Sequence, residues 1–265
     1  MRKPLIIGNW KMNTSLADAT VLATQIKNAV ADLGVDVVLC PPAVWLYPLA
    51  EILEHAPKNL HLGAQNMWFA KKGAMTGEIS PLMVKTLAKY VILGHSERRS
   101  HFHEDNSLIN DKIMAALESN LTPIVCVGET KKMIGDKKAG RPRKNFGQND
   151  IFSQLKGSLK NISRNDADKI IIAYEPVWAI STTPGREDAT GAYASEIIKD
   201  LRDVLADLFG KPVSERIKIL YGGSVDSENV REFVFQPEID GVLAGGASLK
   251  AQEFIKICRE AAGRC

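Results

Sequence analysis

The stretch KIIIAYE, residues 169–175, runs five apolar residues together and stops at a carboxylate. It is too short for a helix, it is β-branched, and it has no polar residue at alternate positions, so it reads as a strand buried on both faces. Runs of the same kind recur along the chain: PLIIGN (4–9), VDVVLC (35–40), LHLGAQ (60–65), YVILGH (90–95), PIVCVGE (123–129), RIKILYGG (216–223) and GVLAGG (241–246). Between them the apolar spacing turns helical. Val21, Leu22, Ile26, Val30 and Leu33 share one stripe of residues 16–33, with Ser15 and Asp18 as a capping box before it and Gly34 closing it. Residues 190–209 and 249–262 repeat the pattern, and helices after strands two to five and seven are weaker. Eight βα units in 265 residues is roughly 33 residues each, near the size of a βαβ unit. Such alternation predicts a parallel sheet covered by helices. The α/β fold expected is a (β/α)8 barrel of eight parallel strands, one domain over residues 1–265. An open doubly wound sheet would want GxGxxG or GxxxxGK, and neither occurs.

Composition excludes several classes. With 45% hydrophobic and 25% charged residues the chain is globular, not disordered or collagen-like. The longest apolar stretch, Val37 to Ala50, is broken by prolines and too short to span a bilayer, and the N-terminus lacks the apolar core of a secretory signal. No membrane association is expected. Cys40, Cys126, Cys258 and Cys265 form neither a CxxC pair nor a zinc pattern, which reads as free thiols in a reducing cytoplasm. The net charge of +3 comes from residues 131–144, KKMIGDKKAGRPRK, with seven Lys/Arg against one Asp. One basic, Gly-punctuated segment without aromatics reads as a solvated loop, with a polyanion site as the other reading, and no nucleic-acid partner is expected. His101, His103, Glu104 and Asp105 lack metal-ligand spacing and read as a solvated helix entry. No metal or cofactor is expected.

In a barrel of this kind the chemistry sits where strands end. Strand one ends in Asn9, followed by Lys11; strand four ends in His95, with Glu97 beyond; strand six ends in Glu175. Glu175 is either a general base, strengthened by partial burial, or a paired structural carboxylate. His95 either polarises a carbonyl or is a hydrogen-bonded core histidine. Gly222-Gly223, before Ser224, and Gly245-Gly246 close the last two strands, where backbone N–H groups can approach a phosphate.

Together the blocks NWKMN (9–13), GAMTGEIS (73–80), LGHSERR (93–99), VCVGET (125–130), AYEPVWAI (173–180), YGGSV (221–225) and GGASL (245–249) resemble the triosephosphate isomerase family, in that family's order and over residues 4 to 262. The resemblance implies interconversion of dihydroxyacetone phosphate and glyceraldehyde 3-phosphate without a cofactor. It implies Glu175 as the proton shuttle between carbons, His95 as the electrophile between oxygens, Lys11 as the cation facing enediolate and phosphate, Asn9 as a supporting donor and Glu97 as the partner of Lys11. Phosphate would be held by N–H groups of Ser181, Ser224, Gly245 and Gly246. PVWAISTT (176–183) resembles a lid, with Ile180 and Leu243 closing over Glu175 and Tyr221 and Ser224 latching it. The loop 65–80, carrying Met67, Trp68, Phe69 and Met75, implies a homodimer in which it enters the second subunit. The chain departs from the family's pattern in three places. Ser181 and Thr183 stand where the lid usually has glycine, the segment after Glu129 is longer by about eight residues on a count of the printed sequence, and Ser195 stands where histidine is common. The lid departure leaves open a four-carbon ketose phosphate as substrate, and the basic segment leaves open a barrel that only binds a phosphorylated ligand or RNA.

Overall fold

The computed structural model describes residues 2–131, 150–180 and 183–264. Its strands are β1 (Leu5–Asn9), β2 (Asp36–Cys40), β3 (Leu60–Ala64), β4 (Tyr90–Leu93), β5 (Thr122–Val127), β6 (Ile171–Tyr174), β7 (Lys218–Tyr221) and β8 (Gly241–Ala244). They pair in parallel in chain order, and β8 closes on β1 from Leu5↔Gly241 to Gly8↔Ala244. This is the expected (β/α)8 barrel.

The unbroken apolar runs are explained by two cores. Leu5, Ile7, Val38, Cys40, Ile92, Ile124, Cys126, Leu220 and Leu243 pack together within the barrel. The residues between them, such as Ile6, Val37, Leu39, Val91, Val125 and Val242, pack outward against the helices. With side chains alternating across a strand, both faces must be apolar. Cys40, Cys126 and Cys258 are free and buried.

β4 and β6 both end earlier than the apolar runs suggest. β4 stops at Leu93 because Gly94 turns left-handed at φ 70°. β6 stops at Tyr174, although the Glu175 N–H still donates to Val127 O at 2.8 Å. His95 and Glu175 therefore stand just beyond the strands, on the first residues of the loops.

The capping box at Ser15 and Asp18 forms as expected, with the Asp18 N–H donating to Ser15 Oγ. The helix it opens runs only Leu16–Ala29, not to Leu33. The Asn59 side chain, from the loop before β3, donates to the Val30 and Val35 carbonyls and holds the turn there. The helix Gly191–Phe209 starts at its Thr190 cap, and the last helix is Ala251–Ala262, with Leu249 in a short 3-10 turn before it. Among the described residues no helix is long and apolar enough to cross a membrane.

Two local expectations fail. Glu104 is not solvated: it is buried between Arg98 and Lys112, at 2.6 Å from each. Met67 is buried in the chain's own core, and Trp68 is partly covered, tilted on Phe69 and capped by the Lys112 ammonium. Only Phe69 and Met75 of that quartet are exposed. The basic segment falls almost wholly outside the described residues.

Candidate active site

Asn9, Lys11, His95, Glu175, Ser224, Gly245 and Gly246 surround one cavity of about 220 Å³ at the carboxyl ends of the strands, with Ile180 and Leu243 also in its wall. They come from the end of β1 and from the loops after β1, β4, β6, β7 and β8, so barrel closure alone brings them together. Glu97 sits one step behind, through Lys11. Ser181 lies outside the described residues.

Glu175 is almost wholly buried. Its Oε2 accepts the Ser96 N–H at 3.0 Å, and its Oε1 lies 3.1 Å from His95 Nε2. The opposite ring nitrogen, Nδ1, accepts the Glu97 N–H at 3.2 Å. A nitrogen that accepts a backbone N–H carries no proton, so His95 is the neutral Nε2–H tautomer, with Nε2 facing Glu175. Glu97 Oε2 stands 3.6 Å from Nδ1, which would favour a protonated ring. The backbone bond decides, because 3.6 Å is beyond hydrogen-bond reach.

Lys11 sits on strained backbone at φ 52°, an unusual conformation for a side chain with a Cβ. Three partners hold it. Its N–H donates to Asn9 Oδ1 at 3.1 Å, its carbonyl accepts from Gln65 Nε2 at 2.8 Å, and its ammonium meets Glu97 Oε1 at 2.6 Å. Burial pushes the Glu97 carboxyl up, but the Lys11 hydrogen bond and the nearby Lys11 charge outweigh it, leaving Glu97 below its ordinary value. Gln65, which closes the third apolar run and opens the loop 65–80 with no signal of a site role in the sequence, also donates to Cys40 O.

Glu129 was read only as the end of a strand. It is buried, and its Oε1 accepts from Tyr174 Oη at 2.8 Å, Trp178 Nε1 at 2.9 Å and Tyr193 Oη at 3.3 Å. These donors sit at the end of β6, in the lid's first turn and on the helix after the lid, so one carboxylate ties both arms of the lid to the barrel. Burial pushes its carboxyl above the usual range, against the hydrogen bonds from Trp178 and Tyr174. Beneath Glu175, burial pushes the Cys126 thiol up. The Glu175 charge and a hydrogen bond to that carboxylate push it further.

The glycine pairs do different work. A Cβ on Gly222 would fall 2.9 Å from Glu175 Cγ, and one on Gly223 would collide with the Tyr221 hydroxyl. That pair makes room for the protein's own side chains. At Gly245 a Cβ would lie in ordinary contact with Lys11 Cε at 3.5 Å, and at Gly246 it would meet no described protein atom within 4 Å, so Gly246 is the one that faces open space. Tyr221 is buried and stacked on Phe233 at 3.9 Å, and Ser224 Oγ accepts from Arg186 Nη1 at 2.8 Å.

The fold and cavity define a parallel (β/α)8 barrel carrying a buried carboxylate, a neutral imidazole and a paired lysine at its carboxyl end. The family model for triosephosphate isomerase matches residues 4–261. Curated relatives named triosephosphate isomerase share 46% identity with the chain in Dehalococcoides mccartyi, over 99% of this chain and 98% of the relative. The value is 44% in Carboxydothermus hydrogenoformans, over 98% and 99%. In Caldanaerobacter subterraneus subsp. tengcongensis it is 43%, over 97% and 99%. The chain belongs to the triosephosphate isomerase family.

Proposed function

We propose that the chain interconverts dihydroxyacetone phosphate and D-glyceraldehyde 3-phosphate by proton transfer through an enediolate. The observation that carries this is the pairing of the Glu175 carboxylate with the His95 Nε2–H at the wall of a cavity that also holds Lys11. A phosphate-binding barrel without catalysis would need neither a buried base nor an oriented acid. Glu175 exchanges its contact with His95 for the substrate, takes a proton from one carbon and returns it to the next. The His95 Nε2–H, released from Glu175, donates to the substrate oxygen that gains negative charge, and the same nitrogen relays the proton to the neighbouring oxygen. Lys11 supplies fixed positive charge to the enediolate. Asn9 and Glu97 act through Lys11, by holding its backbone and its ammonium.

The phosphate is assigned to the end of the cavity at Ser224, Gly245 and Gly246, with Ser181 completing it from the lid. Ile180 and Leu243 exclude water from Glu175, which protects an enediolate phosphate from losing phosphate. A coupled assay tests the reading. Triose phosphates should turn over with saturation, and a tetrulose phosphate at least about 10-fold less efficiently, since one added carbon is worth roughly 1–3 kcal/mol in a closed pocket. Preference for the tetrulose phosphate would replace the substrate assignment.

We also assign the chain to a homodimer built through residues 65–80. Support comes from Met12 at 96% exposure, Phe102 at 63% and Met75 at 50%, together with exposed Leu82 and Met83. A second cavity, about 610 Å³, is lined by Lys11, Met12, Gln65, Glu97 and Phe102. A loop from a second copy placed there would close over the back of the Lys11–Glu97 pair. Free buried thiols suit a cytoplasmic setting.

A further inference from the structure

Among the described residues lining the catalytic cavity, Lys11 is the only Lys or Arg, and Glu175 and Asp226 bring two carboxylates. The Lys11 ammonium is already bonded to Glu97. A dianionic phosphate entering this cavity therefore meets little net positive charge from its walls. The missing charge stands just outside. Arg186, between the lid and the helix Gly191–Phe209, reaches across to the loop after β7 and donates from Nη1 to Ser224 Oγ at 2.8 Å. Its backbone is anchored by an N–H bond to Thr183 O, and its other guanidinium nitrogen faces Asp188 at 3.7 Å. Ser224 itself lines the cavity beside Gly223 and Val225.

We propose that Arg186 is a substrate-positioning residue: it fixes the Ser224 hydroxyl at the cavity rim and supplies the second positive charge for the substrate phosphate, with Asp188 setting how much of that charge is felt. The inference rests on the assignment of the phosphate to the Ser224 end of the cavity. Arg186 acts through Ser224 and through its field, without touching the reacting carbons. Its effect belongs to affinity and encounter and not to the chemical step.

The test uses the full chain, with inorganic phosphate as competitive inhibitor of triose phosphate turnover. Arg186→Met should raise both KM and the phosphate inhibition constant about three- to fivefold, the range of an exposed charge interaction. It should leave kcat within roughly twofold and flatten the fall of kcat/KM with ionic strength. Arg186→Lys should restore most of the affinity. Asp188→Asn, which removes an opposing charge on an exposed side chain, should tighten phosphate by roughly twofold. An unchanged inhibition constant in Arg186→Met overturns the proposal, as does a loss confined to kcat, which would make Arg186 only a strap on the lid. Weaker phosphate binding in Asp188→Asn overturns it even if the methionine variant folds poorly. If the parent is not inhibited competitively by phosphate at all, the site assignment falls and this inference with it.

Discussion

Both oxygens of the Glu175 carboxylate are engaged, Oε2 by the Ser96 N–H and Oε1 by His95 Nε2. A base held by a backbone donor and faced by an imidazole nitrogen is oriented but not free, so substrate must take the place of the imidazole contact before a proton can move. Glu175→Gln keeps the shape but loses the charge, and its amide would face a donor. Turnover should fall on the order of 10²–10⁴-fold while inorganic phosphate still binds; near-normal kcat would remove Glu175 from the chemistry. Glu129 makes a different kind of statement. Its folded carboxyl sits above its ordinary value through burial. Its contribution to stability is therefore fully present below the unfolded value and is lost as pH rises through the folded one. Glutamine does not titrate. The melting temperature of Glu129→Gln relative to the parent should therefore climb between pH 4 and pH 8, and a difference that falls with pH would contradict the assignment.

The lid is the element where this chain departs from its family's pattern. Thr183 does not sit there passively. Its Oγ1 donates to Val177 O at 2.6 Å and its N–H to Ile180 O at 2.9 Å, folding the second arm back on the first. Glycine at 183 would forfeit the hydroxyl bond, about 0.5–1.5 kcal/mol, and add backbone entropy worth roughly 0.5–1 kcal/mol. Thr183→Gly should therefore lower kcat/KM by roughly five- to seventyfold and release more inorganic phosphate per turnover. A gain in triose phosphate turnover would mean that the threonine opposes closure. The lid's anchorage on Glu129 was not legible in GET or in AYEPVW. Tyr174, Trp178 and Tyr193 are 45 to 64 residues from Glu129 along the chain, and only the adjacency of β5 and β6 brings them to one oxygen.

At the scale of the molecule, exposed Met12 and Phe102 line the cavity beside Lys11. Met12, Met75, Leu82, Met83 and Phe102 are more surface than a lone barrel would leave to water. Sedimentation at micromolar concentration should show a dimer, and dilution that separates the copies should cost activity, because the covered cavity adjoins Lys11, His95 and Glu97. A monomer fully active at nanomolar concentration would exclude the pairing. Met67 and Trp68 of the loop add little to this surface: Met67 turns inward and Trp68 is claimed by Phe69 and Lys112.

Barrel class and strand order were legible in the sequence because a strand buried on both faces must be apolar at every position, and eight such runs alternating with helical stripes leave few topologies. Asn9, Lys11, His95 and Glu175 were legible for a related reason: they break apolar runs at the end where a parallel barrel opens. What these groups do to one another was decided only in three dimensions. The His95 tautomer depends on a backbone N–H two residues on, the Lys11 backbone on Gln65 from another strand end, and the Ser224 hydroxyl on Arg186 from across the mouth. Hydrogen bonds have a reach of about 3 Å and no regard for sequence distance. Patterns along a chain announce which groups are polar at a strand end, and closure of the barrel settles which of them meet.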